Sequence, residues 1–375
     1  MKRYVAFVAA GVLVAGCEGA APPPSPAPAP APSVSAATAA PGSATVEHRA
    51  AHTMTALGDG SHLVAGGCVV DGCATATDTA YLVGSGAPAP VAGMATPRDA
   101  HTATLLTDGR VLVTGGFAGE GQAPLTSAEL FDPASGTWQQ VGDLAVGRGG
   151  HAAALLGDGR VLIAGGWVSS QTYTATTEVF DPTTNEFSGG PDLPEAVDGL
   201  AATSLADGSV LVVGGQSTPG VASALAARID RHGTATLVGS LSHARFKHAL
   251  VTLPSGEALV LGGTPDDERI LRSSEVFDPA TATFGPGPVL RGGRYKLSGS
   301  AVVLPDGRVA VAGGGPGVEV VDVSAGSSAR VADAGSRWAS FSTVGVSDGQ
   351  LLVLGGYDQE IRLTDTDLVV DLADL

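Results

Sequence analysis

The stretch RDAHTATLLTDGRVLVTGG, from Arg98 to Gly116, returns almost unchanged as RGGHAAALLGDGRVLIAGG, from Arg148 to Gly166. Each line holds two short apolar runs divided by Asp-Gly and closed by Gly-Gly, the marks of a tight hairpin and not of a helix. Working outward, a Gly-Gly closes a hydrophobic run at Gly66-Gly67, Gly115-Gly116, Gly165-Gly166, Gly214-Gly215, Gly262-Gly263, Gly313-Gly314 and Gly355-Gly356. From Gly67 to Gly356 the second glycines are spaced by 49, 50, 49, 48, 51 and 42 residues. A period of roughly 50 residues repeated seven times predicts a radial array of small sheets.

Beyond the glycines come AELFDPASGTW, ending at Trp138, and TEVFDPTTNEF, ending at Phe187, so each unit carries four apolar runs. Asp-Gly at positions 59, 108, 158, 207, 306 and 348 is read as a two-residue type I′ hairpin between the first and second strands. Asp132-Pro133, Asp181-Pro182 and Asp278-Pro279 suit a type I turn from third strand to fourth, with proline pre-setting φ and the Asp side chain accepting a backbone N–H. The paired glycines end the second strand, where missing side chains let backbones approach in a crowded centre.

The order Arg-x-x-His, apolar run, Asp-Gly, VLVxGG, then E-[VL]-F-D-P and an aromatic resembles the kelch repeat of the galactose oxidase and kelch superfamily, over about residues 46 to 375. The resemblance implies an all-β, seven-bladed kelch-type β-propeller. The pattern departs in places: the fourth unit has Val197 and Leu200 for Arg and His, the sixth has Lys296 and Gly299 at that spacing, and the fifth has Ser255-Gly256 for Asp-Gly. After Gly356 the last unit supplies only a third strand before Leu375, so a strand at about Ala44 to Glu47 is expected to complete that blade and remove an open edge.

Three segments follow: residues 1–16 as a signal peptide, 17–45 as a lipidated cysteine with a Pro/Ala-rich tether, and 46–375 as the propeller. Lys2 and Arg3 precede an apolar stretch too short to span a bilayer, and Val14-Ala15-Gly16-Cys17 resembles the lipobox of bacterial lipoproteins, making Cys17 the expected lipid-attachment site. The competing reading is an ordinary cleavage site that meets a cysteine by accident. The expected location is the cell envelope, with the bilayer met through the acyl anchor alone. The Ala/Pro/Ser/Thr tether reaches about 75 Å if extended at ~3.1 Å per residue. Export permits a Cys68–Cys73 disulfide, and a thiol metal site there would have two ligands only.

The net charge of −17 makes nucleic acid an improbable partner. Arg49/His52, Arg98/His101, Arg148/His151 and Arg245/His248 lead into the innermost strands. Repeated once per unit, they are read as structural contacts to a neighbouring carbonyl or carboxylate, since blade spacing sets them too far apart to share one metal. No metal or cofactor is expected. The face carrying the second-to-third and fourth-to-first connections presents Phe117, Trp167, Gln171, Tyr173, Asp266, Arg269 and Tyr357, residue types common at sugar, peptide and protein interfaces, although aromatics there also pack across their own loops.

With no nucleophile elbow or metal-ligand spacing legible, the residues favour a monomeric, non-enzymatic module binding a protein or glycan through this face. The alternative is an exported carbohydrate-active enzyme, because the superfamily includes sugar mutarotases and copper-radical oxidases. The oxidase version, whose cofactor needs a Tyr–Cys cross-link, fits poorly with Cys68 and Cys73 as the only thiols besides Cys17.

Overall fold

The computed structural model describes residues 46–84, 86–169, 172–332, 339–364 and 367–375. Cys17, the leader, the tether up to residue 45 and Gln171 lie outside these residues. Within them the chain forms seven antiparallel meanders. The second is typical: Thr102–Leu105, Val111–Thr114, Ala128–Asp132 and Thr137–Gln140, paired in sequence order. Each first strand packs beside the first strands of the two neighbouring sheets, and that of the seventh (Thr343–Ser347) meets that of the first (Thr53–Ala56). The result is a closed seven-bladed propeller.

The burial follows from this geometry. Second strands, squeezed between neighbouring blades, are buried at every residue in blades one to six, as in His62–Ala65 and Val161–Ala164. The first strands of blades one, two and four have no fully buried residue because one side faces the axis. Each of the seven seams has its own apolar cluster, for example Leu162 and Ala164 of blade three against Val210 and Val212 of blade four.

Two sets of backbone hydrogen bonds run round the axis. The N–H of each second glycine donates to a carbonyl at the start of the next blade: Gly67 to Arg98 (2.8 Å), Gly116 to Arg148 (2.9 Å), Gly166 to Val197 (2.8 Å), Gly215 to Arg245 (2.9 Å), Gly263 to Arg294 (2.7 Å), Gly314 to Ala339 (2.6 Å) and, closing the ring, Gly356 to Arg49 (2.8 Å). A Cβ at Gly115 would collide with the Arg148 carbonyl and His151, so the pair of glycines is needed for this approach. Nearer the loop face, Ala51, Ala100, Gly150, Gly199, Lys247, Lys296 and Phe341 all have φ between 48° and 64°. The amides of six of them join blade to blade, as in Ala100 to the Ala51 carbonyl and Phe341 to the Lys296 carbonyl, both 3.1 Å, while between blades five and six the Leu297 N–H donates to the Lys247 carbonyl at 3.2 Å.

Two expectations need correction. The Asp-Gly turns are not type I′ except at Asp348-Gly349, where both residues have positive φ. Elsewhere the glycine alone is left-handed: Gly60 N–H donates to the Leu57 carbonyl and Leu57 N–H to the Ser61 carbonyl, which is a type I turn followed by a glycine bulge. Asp59 Oδ1 accepts the Ser61 N–H at 2.9 Å and so braces the turn. In the sixth unit a two-residue insertion shifts the signature: Arg294 takes the arginine place, bonding Gly313 as Arg245 bonds Gly262, and Leu297 takes the histidine place beside Gly262.

The seventh sheet has three strands among the described residues: Thr343–Ser347, Gln350–Leu354 and Leu368–Asp371. The segment expected as its fourth strand falls partly outside those residues, and Val46 and Glu47 pair with no strand. Val46 still packs with Leu352 and Leu354 of that blade, so the chain's first described residue meets its last blade.

Candidate functional site

The signature arginines turn inward within their own blades. Arg148 is fully buried; its Nη1 donates to the Gly165 and Thr176 carbonyls, both at 2.9 Å, and its Nη2 pairs with Glu178 Oε1 at 2.8 Å. Arg98–Glu129 and Arg245–Glu275 repeat that pair at 2.7 Å, and Arg294–Glu319 at 3.3 Å. In blade one Tyr81 stands at the glutamate position, with Arg49 over its ring at 5.0 Å. Burial lowers the pKa of each guanidinium, and the glutamate, where present, opposes it.

Three of the four signature histidines act across seams. His52 Nε2 bonds Thr343 Oγ1 of blade seven (2.7 Å), His101 bonds Thr53 of blade one (3.0 Å), and His151 bonds Thr102 of blade two (2.9 Å). Burial pulls the imidazole pKa of His52, His151 and His248 down to about 3, and that of His101 well below its usual value.

Inside the ring of first strands lies one large cavity of about 1020 Å³, opening toward the face of the second-to-third and fourth-to-first connections. Its wall is small: Thr53, Thr102 and Thr343 on one side, Ala152, Ala201, Ala249 and Ala301 on the other. Its mouth carries the chemistry. Phe117 and Trp167 meet edge to face at 5.8 Å between centroids, with Phe117 lying where a side chain on Gly149 would go. Asp99 and Asp198 line the same space, and burial raises the pKa of both to about 6. Asp198 accepts a hydrogen bond from Gln216 Nε2 at 3.1 Å and sits against Gly150. Lys247 lines the cavity and pairs with Asp267 at 2.8 Å. Beside it the Lys296 ammonium lies over Tyr295, Phe341 and Tyr357 at 5.1, 5.9 and 4.9 Å. Burial, then Lys247, brings its pKa down to about 8.

The Cys68–Cys73 disulfide forms at this rim. Its loop ties neighbours together: Gly72 N–H donates to the Ile361 carbonyl (2.7 Å), Asp71 Oδ1 accepts the Leu363 N–H (2.9 Å), and Glu120 N–H donates to the Ala74 carbonyl (3.2 Å). Loops of blades seven, one and two are thereby held as one surface across the seam where the chain begins and ends.

Among known proteins, the kelch motif family model matches residues 100–145 and 148–194, which are blades two and three. The solved structure of YjhT is similar at a TM-score of 0.57 and 12% identity, covering 88% of this chain and 98% of that one. The chain is a seven-bladed β-propeller whose second and third blades carry kelch motifs. No curated protein matches its sequence.

Of the residues expected on the binding face of this propeller, Phe117, Trp167 and Tyr357 line the cavity. Tyr173 pairs with Trp167 along the backbone of a two-stranded ribbon and does not line it. Asp266 and Arg269 bond each other at 2.7 Å on an exposed loop, away from the cavity wall. Asp99, Asp198 and Lys247 were not singled out from sequence. The available signal was their register: they occupy the two places between Arg and His that hold only Ala or Gly in the first and third units.

Proposed function

We propose that this propeller is a binding module for a polyhydroxylated ligand, a glycan or a fragment of one, held in the axial cavity at the loop face. One observation carries this: a single cavity joins the Phe117/Trp167 pair, with Trp167 exposed to offer aromatic surface to a sugar, to Asp99, Asp198 and Lys247, which offer acceptors and donors to its hydroxyls. With a pKa of about 6 these carboxyls are mostly ionised at pH 7 and accept from ligand hydroxyls, gaining a donor proton as pH falls below about 6. The proposal extends to location: a lipid anchor at Cys17 and an extended tether would hold a monomeric domain at the cell envelope. The Cys68–Cys73 disulfide accords with an oxidising compartment.

A second reading has its own observation. Asp99 and Asp198 near 6 and Lys296 near 8 are poised for proton transfer, which supports a carbohydrate-active enzyme of the mutarotase kind.

The test is a glycan array probed with the full chain. Wild type is expected to retain a defined set of glycans, and Trp167→Ala to weaken their binding by about tenfold or more, the usual loss for an aromatic anchor. Equal binding by the variant, or no retained glycan, contradicts the proposal.

A further inference from the structure

The Arg-x-x-His repeat follows a pairing rule across blade seams that the sequence breaks once. Where the preceding blade's first strand opens with threonine, the next blade carries histidine and the two bond: Thr343 with His52, Thr53 with His101, Thr102 with His151. Where it opens with alanine, the next blade carries leucine in two cases: Ala152 precedes Leu200, and Ala249 precedes Leu297. Polar meets polar and apolar meets apolar, as a dry seam requires. In blade six the Ser300 hydroxyl donates instead to the Ser342 carbonyl of blade seven (2.6 Å).

His248 is the exception. The residue opening blade four in front of it is Ala201, which has no hydroxyl. His248 is 3% exposed, and neither Nδ1 nor Nε2 has a hydrogen-bond partner among the described residues. Its three counterparts lack a partner only at Nδ1. Leaving a buried ring nitrogen unbonded is destabilising, and leucine is the residue the same chain uses elsewhere behind alanine. Both His248 and Ala201 line the axial cavity, and Lys247 and Asp198 stand at its mouth in the same two blades.

We infer that His248 is a ligand-contact residue, its Nε2 bonding a hydroxyl of the bound ligand in the place where threonine serves the other three imidazoles. This deepens the binding reading above and rests on it: it commits the cavity to a hydroxylated ligand and fixes the deep contact at the seam of blades four and five. Asp198, held by Gln216, and Lys247, held by Asp267, then meet the ligand nearer the mouth.

Two variants test this, both built from pairings already present in the chain. Ala201→Thr supplies the missing hydroxyl from the protein itself; His248→Leu recreates the Ala152/Leu200 seam. The probe is a panel of free mono- and disaccharides, measured by saturation-transfer NMR and isothermal titration on the full chain. Expected results are binding by wild type, at least tenfold weaker binding by each variant, and a melting temperature for Ala201→Thr about 2 °C or more above wild type. Undiminished affinity in both variants overturns the role of His248 while leaving the binding reading in place. No saccharide binding by wild type at millimolar concentration overturns that reading, and this inference with it.

Discussion

Replacing Glu178 with alanine is expected to lower the unfolding free energy by about 3–5 kcal/mol, the range for removing one partner of a buried ion pair. The size follows from what is left behind. Arg148 is wholly buried, and its guanidinium would keep only the neutral Val146, Gly165 and Thr176 groups. The Ala145 and Val146 amides, which donate to the Glu178 carboxylate at 2.7 and 3.2 Å, would lose their acceptor as well. Blade one provides the control, since Tyr81 stands opposite Arg49 at the equivalent position. Glu178→Tyr should therefore cost clearly less than Glu178→Ala. Urea denaturation of the two variants checks both statements; equal, small losses would mean that the arginine–glutamate pairs do not hold the wedges together.

The second large effect is acid lability. Histidine ordinarily titrates near 6.5, and burial brings His52, His151 and His248 to about 3 in the folded chain, with His101 also far below its usual value. Between those limits the unfolded chain binds more protons than the folded one. Stability is therefore complete above about pH 6.5 and falls as pH drops toward 3. At pH 5 each imidazole accounts for about 2 kcal/mol of loss. Asp99 and Asp198 run the opposite way: with pKa raised to about 6, they bind more protons folded than unfolded between about 4 and 6, which stabilises the fold on acidification. Four imidazoles outweigh two carboxyls, so the urea midpoint should fall steadily from pH 7 to pH 4. His151→Leu, which copies Leu200 of the next blade, should reduce the slope. A midpoint that holds constant to pH 4 would show that these rings are not buried as neutral bases.

The seven-bladed ring was legible because its evidence is repetitive. Gly66-Gly67 alone means little, but seven such pairs in register have one packing solution, a closed set of wedges whose backbones touch at the glycines. The turn at Asp59-Gly60 was misjudged because Gly58 was counted with the strand, although it occupies the turn and leaves Gly60 alone with positive φ. The sixth unit was misaligned by counting back from Gly313, which steps over the inserted pair and lands on Lys296 and Gly299 instead of Arg294 and Leu297.

The site was harder to read, for a physical reason. Asp99 and Asp198 sit at positions where other units carry Ala50 or Gly149, so nothing in their local pattern marks them. Their chemistry arises when the ring sets them at one cavity mouth and withdraws them from water. Asp266 and Arg269 show the converse, because a charged cluster conspicuous in sequence satisfies itself within its own loop. His248 could be told from His52, His101 and His151 only after each imidazole had been matched to the residue facing it across the seam.

The ring of glycine bonds underlies the axial cavity and everything placed in it, and amide hydrogen exchange tests it directly. The N–H groups of Gly67, Gly116, Gly166, Gly215, Gly263, Gly314 and Gly356 each donate to the next blade. All seven should exchange only at the rate of global unfolding, Gly356 included. Fast exchange at Gly356, with the other six protected, would mean an open ring at the seam of blades seven and one, and no closed cavity for a ligand to occupy.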